Sequence, residues 1–135
     1  MILIDTNVIL DVVKPDRWTE WSAQALEAAA ATDSLGINPI IYGELSVYYE
    51  RMEDIDVVLE GLQLDLLPLP KAALFLAGKA FQRYRRAGGT KVNVLPDFFI
   101  GAHAAVTDSA LLTRDTTRIR SHFPTVRLIA PEKQP

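Results

Sequence analysis

MILIDTNVIL, residues 1–10, decides the fold class of this chain. Ile2, Leu3 and Ile4 form a short apolar run, Asp5 interrupts it, Thr6 and Asn7 follow, and Val8-Ile9-Leu10 resumes the apolar character. This order predicts a buried strand, a sharp turn at Asp5 and a helix that begins around Thr6. In an open α/β sheet, side chains at the carboxyl ends of strands face the crevice where ligands bind. Asp5 would then be a carboxylate placed in a functional crevice by the first element of the chain.

Outward from that stretch, short apolar runs alternate with helical ones. Residues 19–33 read as an alanine-rich helix, 34–38 as a brief strand, and 39–52 as a helix with Pro39 in its first turn, where a missing N–H is no loss. Residues 53–64 suit a helix with acids gathered early, and 65–69 a third strand stopped by Pro68 and Pro70. A long helix covers about 72–87 and stops at Gly88-Gly89; another occupies 92–106, with Pro96 in its first turn. A fourth strand at 110–113 turns through 114–117 into a short helix, a last strand spans 126–129, and PEKQP is a polar tail. Such alternation implies a three-layer α/β/α sandwich around a mostly parallel sheet. The expectation is one domain over residues 1–135, with 131–135 as its tail.

Composition limits the chemistry. The apolar fraction is 49% and the charged fraction 23%, as in a folded globular chain. No apolar run approaches the ~20 residues that span a bilayer, and no signal-peptide pattern is visible, so a cytoplasmic protein is expected. With no cysteine and two histidines, His103 and His122, a soft-metal site lacks material. Any metal would be held by oxygen, which points to magnesium or manganese. Residues 1–70 hold 13 acids and 3 bases, whereas residues 71–135 hold 4 acids and 11 bases. The basic half could receive an anionic ligand, or the two halves could neutralise each other across the fold.

Most acids sit among polar neighbours; four do not. Asp5 ends the first strand and Asp115 follows the Leu111-Leu112-Thr113 run in the same way. Glu44 lies on a helix face with Ile40, Ile41, Val47 and Tyr48, and Asp97 is the lone charge between Val92 and Thr107. Each of the three aspartates could serve as a helix cap or dipole partner, but a mid-helix glutamate on an apolar face has no such use. Two carboxylates ~5 Å apart repel by about 3 kcal/mol at an effective dielectric near 20. A gathered quartet must take up protons, recruit cationic side chains or hold a divalent cation. Magnesium suits such a site because it takes a few carboxylates and leaves positions open for phosphate oxygens. His103 and Asp11 point away from the shared edge, His122 falls in a loop, and Asp108 reads as a turn former.

The ordered set L-I-D-T-N, Y-G-E-L, L-P-D-F-F-I-G-A-H-A and L-L-T-R-D resembles the PIN-domain ribonucleases, with the closest likeness to the VapC toxins of bacterial toxin–antitoxin modules. The likeness runs over residues 2 to 130. It implies a five-stranded parallel sheet of order 3-2-1-4-5 and a magnesium- or manganese-dependent endoribonuclease. The family's acidic quartet falls on Asp5, Glu44, Asp97 and Asp115; Asp5, Asp97 and Asp115 match its metal-holding positions, and Glu44 completes the site directly or through water. Thr6, Asn7 and Thr113 match polar positions that hydrogen-bond the carboxylates or solvent. The family also implies a homodimer and a cognate antitoxin as partners.

Apart from the resemblance, Lys79, Arg83 and Arg86 recur on one face of the long helix, where they could position RNA phosphates, receive an acidic antitoxin segment or simply face solvent. Two other classes compete. Haloacid-dehalogenase-like phosphatases need a second aspartate two residues after the first, where this chain has Asn7. A non-catalytic RNA- or protein-binding module with a structural metal site would keep the acids and cut nothing.

Overall fold

A computed structural model describes residues 1–91 and 93–132. Val92, which the sequence reading put at the start of a helical segment, and residues 133–135 of the expected tail lie outside the described residues. Five strands form one parallel sheet in the order β3-β2-β1-β4-β5. They are β1 (Ile2–Ile4), β2 (Leu35–Ile37), β3 (Leu64–Leu66), β4 (Ala110–Leu112) and β5 (Leu128–Ile129). Seven helices flank the sheet among the described residues: α1 (Thr6–Val13), α2 (Thr19–Ala30), α3 (Pro39–Ser46), α4 (Met52–Gly61), α5 (Lys71–Arg86), α6 (Leu95–Thr107) and α7 (Thr117–His122). The expected strand order is the observed one. The central strands β1, β2 and β4 are buried at every position, so they read as continuous apolar runs instead of alternating ones.

Register brings the acids to one edge. Ile4 pairs with Leu112, and the Asp5 N–H donates to the Leu112 carbonyl at 2.9 Å, so Asp5 and Thr113 leave the sheet side by side. On the other side of β1, Leu3 pairs with Gly36, and β2 runs out into Asn38. Asn38 caps α3 by accepting from the Ile41 N–H at 3.0 Å, with Pro39 in the first turn as expected.

Several elements end earlier than the sequence pattern suggests. The α3 helix stops at Ser46, six residues short of Met52, because Val47 and Tyr48 are 79% and 48% exposed and have no core to pack on. Its last turn tightens through i→i+3 bonds from the Val47 and Tyr48 N–H groups. The β3 strand begins one residue sooner, at Leu64, because Gln63 takes a left-handed conformation (φ 57°) that ends α4 abruptly. A last sheet bond runs from the Leu67 N–H to the Ile37 carbonyl, and Pro68, which has no N–H, follows it. Asp108 closes α6 in the left-handed region (φ 52°), consistent with a turn former.

The close seating of α7 on α6 depends on Gly101. A Cβ there would collide with the Phe123 ring and stand 3.0 Å from Ile119 Cδ1. Alanine is favoured over glycine in a helix by about 1 kcal/mol. Even so, Gly101→Ala is expected to destabilise the protein by about 1–3 kcal/mol through overpacking against a buried ring. Urea unfolding checks this; an unchanged midpoint would mean that α7 moves aside freely.

Candidate active site

The acidic edge is built from separate elements. Asp5 follows β1 and serves as N-cap of α1, its Oδ1 accepting from the Thr6 N–H at 2.7 Å. The capping use foreseen for Asp5 is therefore real, but it engages one oxygen only. Oδ2 accepts from the Thr113 hydroxyl at 2.7 Å and from the Asn7 amide at 3.3 Å. Asn7 Oδ1 accepts from the Arg114 N–H at 3.2 Å; that backbone donor decides which way the amide faces. Thr113 in turn accepts from the Asp115 N–H at 3.1 Å, so one hydroxyl joins the turn after β4 to the carboxylate after β1. Glu44, on α3, accepts from the buried Thr6 hydroxyl at 2.7 Å. Thr6, Asn7 and Thr113 thus touch the acids or one another, and Glu44 is tied to the same cluster.

Asp97 sits in the first turn of α6, and its Oδ2 accepts from Arg118 Nη1 at 2.7 Å. Asp115 is exposed on the turn before α7, and no side-chain cap is formed there. The electrostatics show that these groups sense one another. Burial raises the Asp5 carboxyl from 3.8 to about 6, against the lowering effect of its Thr113 and Thr6 hydrogen bonds, and the charges of Asp97 and Glu44 push it the same way as burial. Burial also raises Glu44, with Asp97 adding to the rise. Asp97 is raised by burial and by Asp115, and Arg118 works against both. Neighbouring like charges in a partly dry pocket have this effect.

Among the described residues, no three acids or histidines are drawn together as ligands around one point. The donor set nonetheless suits a hard cation. A carboxylate offers about four lone-pair directions. Three donors reach Asp5, one reaches Asp97 and one reaches Glu44, so each retains free acceptor capacity. All of these donors to a metal would be oxygens, as magnesium and manganese prefer.

Two features escaped the sequence reading. Asp11, expected to point away from the shared edge, is 1% exposed and forms a bidentate pair with Arg114, the residue between Thr113 and Asp115 (Nε–Oδ2 2.7 Å, Nη2–Oδ1 3.0 Å), with Ser22 donating at 2.6 Å. Its place inside the apolar run from Val8 to Val13 was the available signal. Arg118, on α7, had no signal at all. His122 ends α7 instead of lying in a loop, with its ring 4.8 Å from Phe98. His103 is buried and bonded to Asn38 at 3.1 Å, away from the acids' hydrogen-bond network. Lys79, Arg83 and Arg86 are exposed on α5. Arg83 lies near enough to His122 for its charge to help lower that ring's pKa, after burial and Arg118. Lys79 instead sits over the Phe75 ring at 5.3 Å. Beside Asp115 an open cleft of about 540 Å³ is walled by Arg17, Trp18, Arg114, Arg120 and Glu132.

Residues 2–121 match the sequence model of the PIN domain. The chain belongs to the PIN domain family. No curated protein sequence matches it, but solved structures share the PIN fold. A chain of the VapBC2 complex from Rickettsia felis, bound to a DNA fragment from its promoter, aligns with a TM-score of 0.73 at 19% identity, covering 96% of this chain and 98% of that one. A toxin–antitoxin complex from Klebsiella pneumoniae gives 0.72 at 23% identity, covering 99% and 100%. FitAcB from Neisseria gonorrhoeae gives 0.69 at 22% identity, covering 96% of each chain. At these identities the likeness is one of fold. Among the described residues, no helix of this PIN domain is long and apolar enough to cross a membrane.

Proposed function

We propose that this PIN domain is a divalent-metal-dependent endoribonuclease and the toxin of a toxin–antitoxin module. The observation that carries this reading is the convergence of Asp5, Glu44 and Asp97, from three separate elements: beyond the effect of burial, the charges of Asp97 and Glu44 raise Asp5, Asp97 raises Glu44, and Asp115 raises Asp97. Asp5, Asp97 and Asp115 would hold magnesium or manganese, with Glu44 completing the site. When bound, such an ion offsets the carboxylate repulsion, polarises a phosphodiester and lowers the pKa of water for attack on phosphorus. Thr113 and the Thr6 N–H hold Asp5 in one orientation, and Thr6 holds Glu44. Asn7 locks the turn that carries Asp115 to the one that carries Asp5. In hydrolysis the water oxygen forms a new bond to phosphorus as one ester P–O bond breaks; a water proton goes to solvent or to a carboxylate of this cluster, and the leaving oxygen takes up a proton from solvent.

The Arg17, Arg114 and Arg120 side chains beside Asp115, and Arg83 beyond His122, support contact with a polyanion. Lys79 and Arg86 remain proposed contacts for RNA or antitoxin. A cognate antitoxin and a second copy of the chain are the proposed protein partners, supported by exposed Val47, Val57, Met52 and Phe75. The complexes to which the structural relatives belong favour the same reading. The proposed setting is the cytoplasm, where RNA is available.

Purified protein freed of any antitoxin is expected to cut total cellular RNA in the presence of magnesium or manganese, and to stop on addition of a chelator. Intact RNA with either metal would overturn the nuclease reading in favour of a binding module.

A further inference from the structure

Among the described residues, Arg118 is the one cation in direct contact with any of the four acids. Its contact is lopsided. Nη1 donates to Asp97 Oδ2 at 2.7 Å, and no second hydrogen bond from the guanidinium to the described residues exists. A guanidinium carries five N–H donors in a flat fork that matches a carboxylate or phosphate two at a time. Arg114 uses its fork in that bidentate way on buried Asp11; Arg118 does not. Both partners remain partly open to solvent, at 29% for Arg118 and 35% for Asp97. The base of α7 is held by Ile119 and Phe123 packed on Gly101, so Arg118 is carried on a firm support and its head is lightly held.

Charge explains why it rests there. The four acids with Arg118 sum to −3, so the guanidinium is the available counter-ion when no metal is bound, and an incoming phosphate is repelled. A divalent cation engaging Asp97 weakens that carboxylate's hold on Arg118 and lowers the repulsion facing RNA. The phosphodiester, whose charge grows during attack, then becomes the better partner for the fork.

We propose that Arg118 is a phosphate-contacting catalytic residue, resting on Asp97 in the metal-free protein and turning its guanidinium to a phosphate oxygen of bound RNA once a cation engages Asp97. The inference rests on the nuclease reading. Arg118 neither gains nor loses a proton in the step, because guanidinium stays charged throughout.

The test compares wild type, Arg118→Gln and Arg118→Lys in two measurements: calorimetric titration with manganese alone, and cleavage of a single-stranded RNA oligonucleotide. Arg118→Gln removes a cation that competes for Asp97, so manganese is expected to bind about threefold to tenfold more tightly. Cleavage is expected to slow by about a hundredfold or more at saturating manganese, chiefly in kcat. Arg118→Lys keeps the charge and loses the fork; manganese affinity should stay near wild type while cleavage falls by about tenfold or more. Weaker manganese binding by Arg118→Gln, with cleavage restored by added manganese, would make Arg118 a positioning residue for Asp97 and overturn the proposal. Tighter manganese binding with unchanged cleavage would reduce it to a counter-ion and overturn it equally. Wild type that binds manganese but cuts no RNA overturns the nuclease reading as well; wild type that cuts alongside an unimpaired Arg118→Gln overturns this inference alone.

Discussion

Asp5→Asn is expected to lower RNA cleavage by about a thousandfold or more and, in the metal-free protein, to raise thermal stability at about pH 7.5. The two effects have one cause. In the folded state the Asp5 carboxyl titrates at about 6 against an ordinary 3.8, mainly because it is buried and secondly because Asp97 and Glu44 repel its charge. A raised carboxyl contributes its full stability below its unfolded value of 3.8 and loses that contribution as pH climbs through about 6. At about 1.4 kcal/mol per pH unit, the loss in wild type is at most about 3 kcal/mol by neutral pH. Asparagine keeps an oxygen for the Thr6 N–H and has no charge to bury. The stability advantage of Asp5→Asn should therefore be clear at about pH 7.5, shrink towards about pH 4.5, and disappear when magnesium or manganese saturates the wild type. Scanning calorimetry across that range checks it. A variant less stable than wild type at both ends would show that the capping role of Asp5 dominates.

Arg114→Ala carries the largest expected loss of stability, about 3–5 kcal/mol. The substitution strands Asp11, which is 1% exposed and would keep only Ser22 as a side-chain donor. It also removes a guanidinium lying 5.0 Å from the Trp18 ring centroid. Against a total of about 5–15 kcal/mol for a typical domain, that is a drop in melting temperature of roughly 10 °C or more. The double replacement Asp11→Leu with Arg114→Met is expected to recover most of the loss, because it removes the buried charge along with its partner. A cost below about 1 kcal/mol for Arg114→Ala would mean that Asp11 finds water or takes up a proton instead. Asp115 is adjacent to Arg114 in the chain, so the single variant should also slow cleavage by loosening the turn.

The parts that were legible in the sequence share a physical cause. Asp5 and Asp115 each follow an apolar strand, and Glu44 and Asp97 stand in apolar company, which is why these four acids stood out as candidates. Parallel strands buried on both faces leave unbroken runs such as Ile2-Leu3-Ile4, and those were read directly. What could not be read depends on packing between distant segments. Arg118 meets Asp97 across 21 residues, where α7 seats closely on α6 at Gly101. Asp11 meets Arg114 across 103 residues, and nothing local to either announces the pair. The early end of α3 depends on the absence of a core beneath Val47 and Tyr48. The left-handed turn at Gln63 breaks the usual preference for glycine or asparagine, so no pattern marked it.

Asp5 and Thr113 are joined by a hydrogen bond across 108 residues, and β1 is flanked on one side by β4 from the far part of the chain. Synthesis therefore supplies Asp5 well before the Thr113 hydroxyl that orients it. A ribosome-bound chain that has not yet released residues 110–115 lacks β4, the hydroxyl that orients Asp5, and Asp115 itself. Under the proposed nuclease function, a chain without β4 is expected to leave its own message uncut.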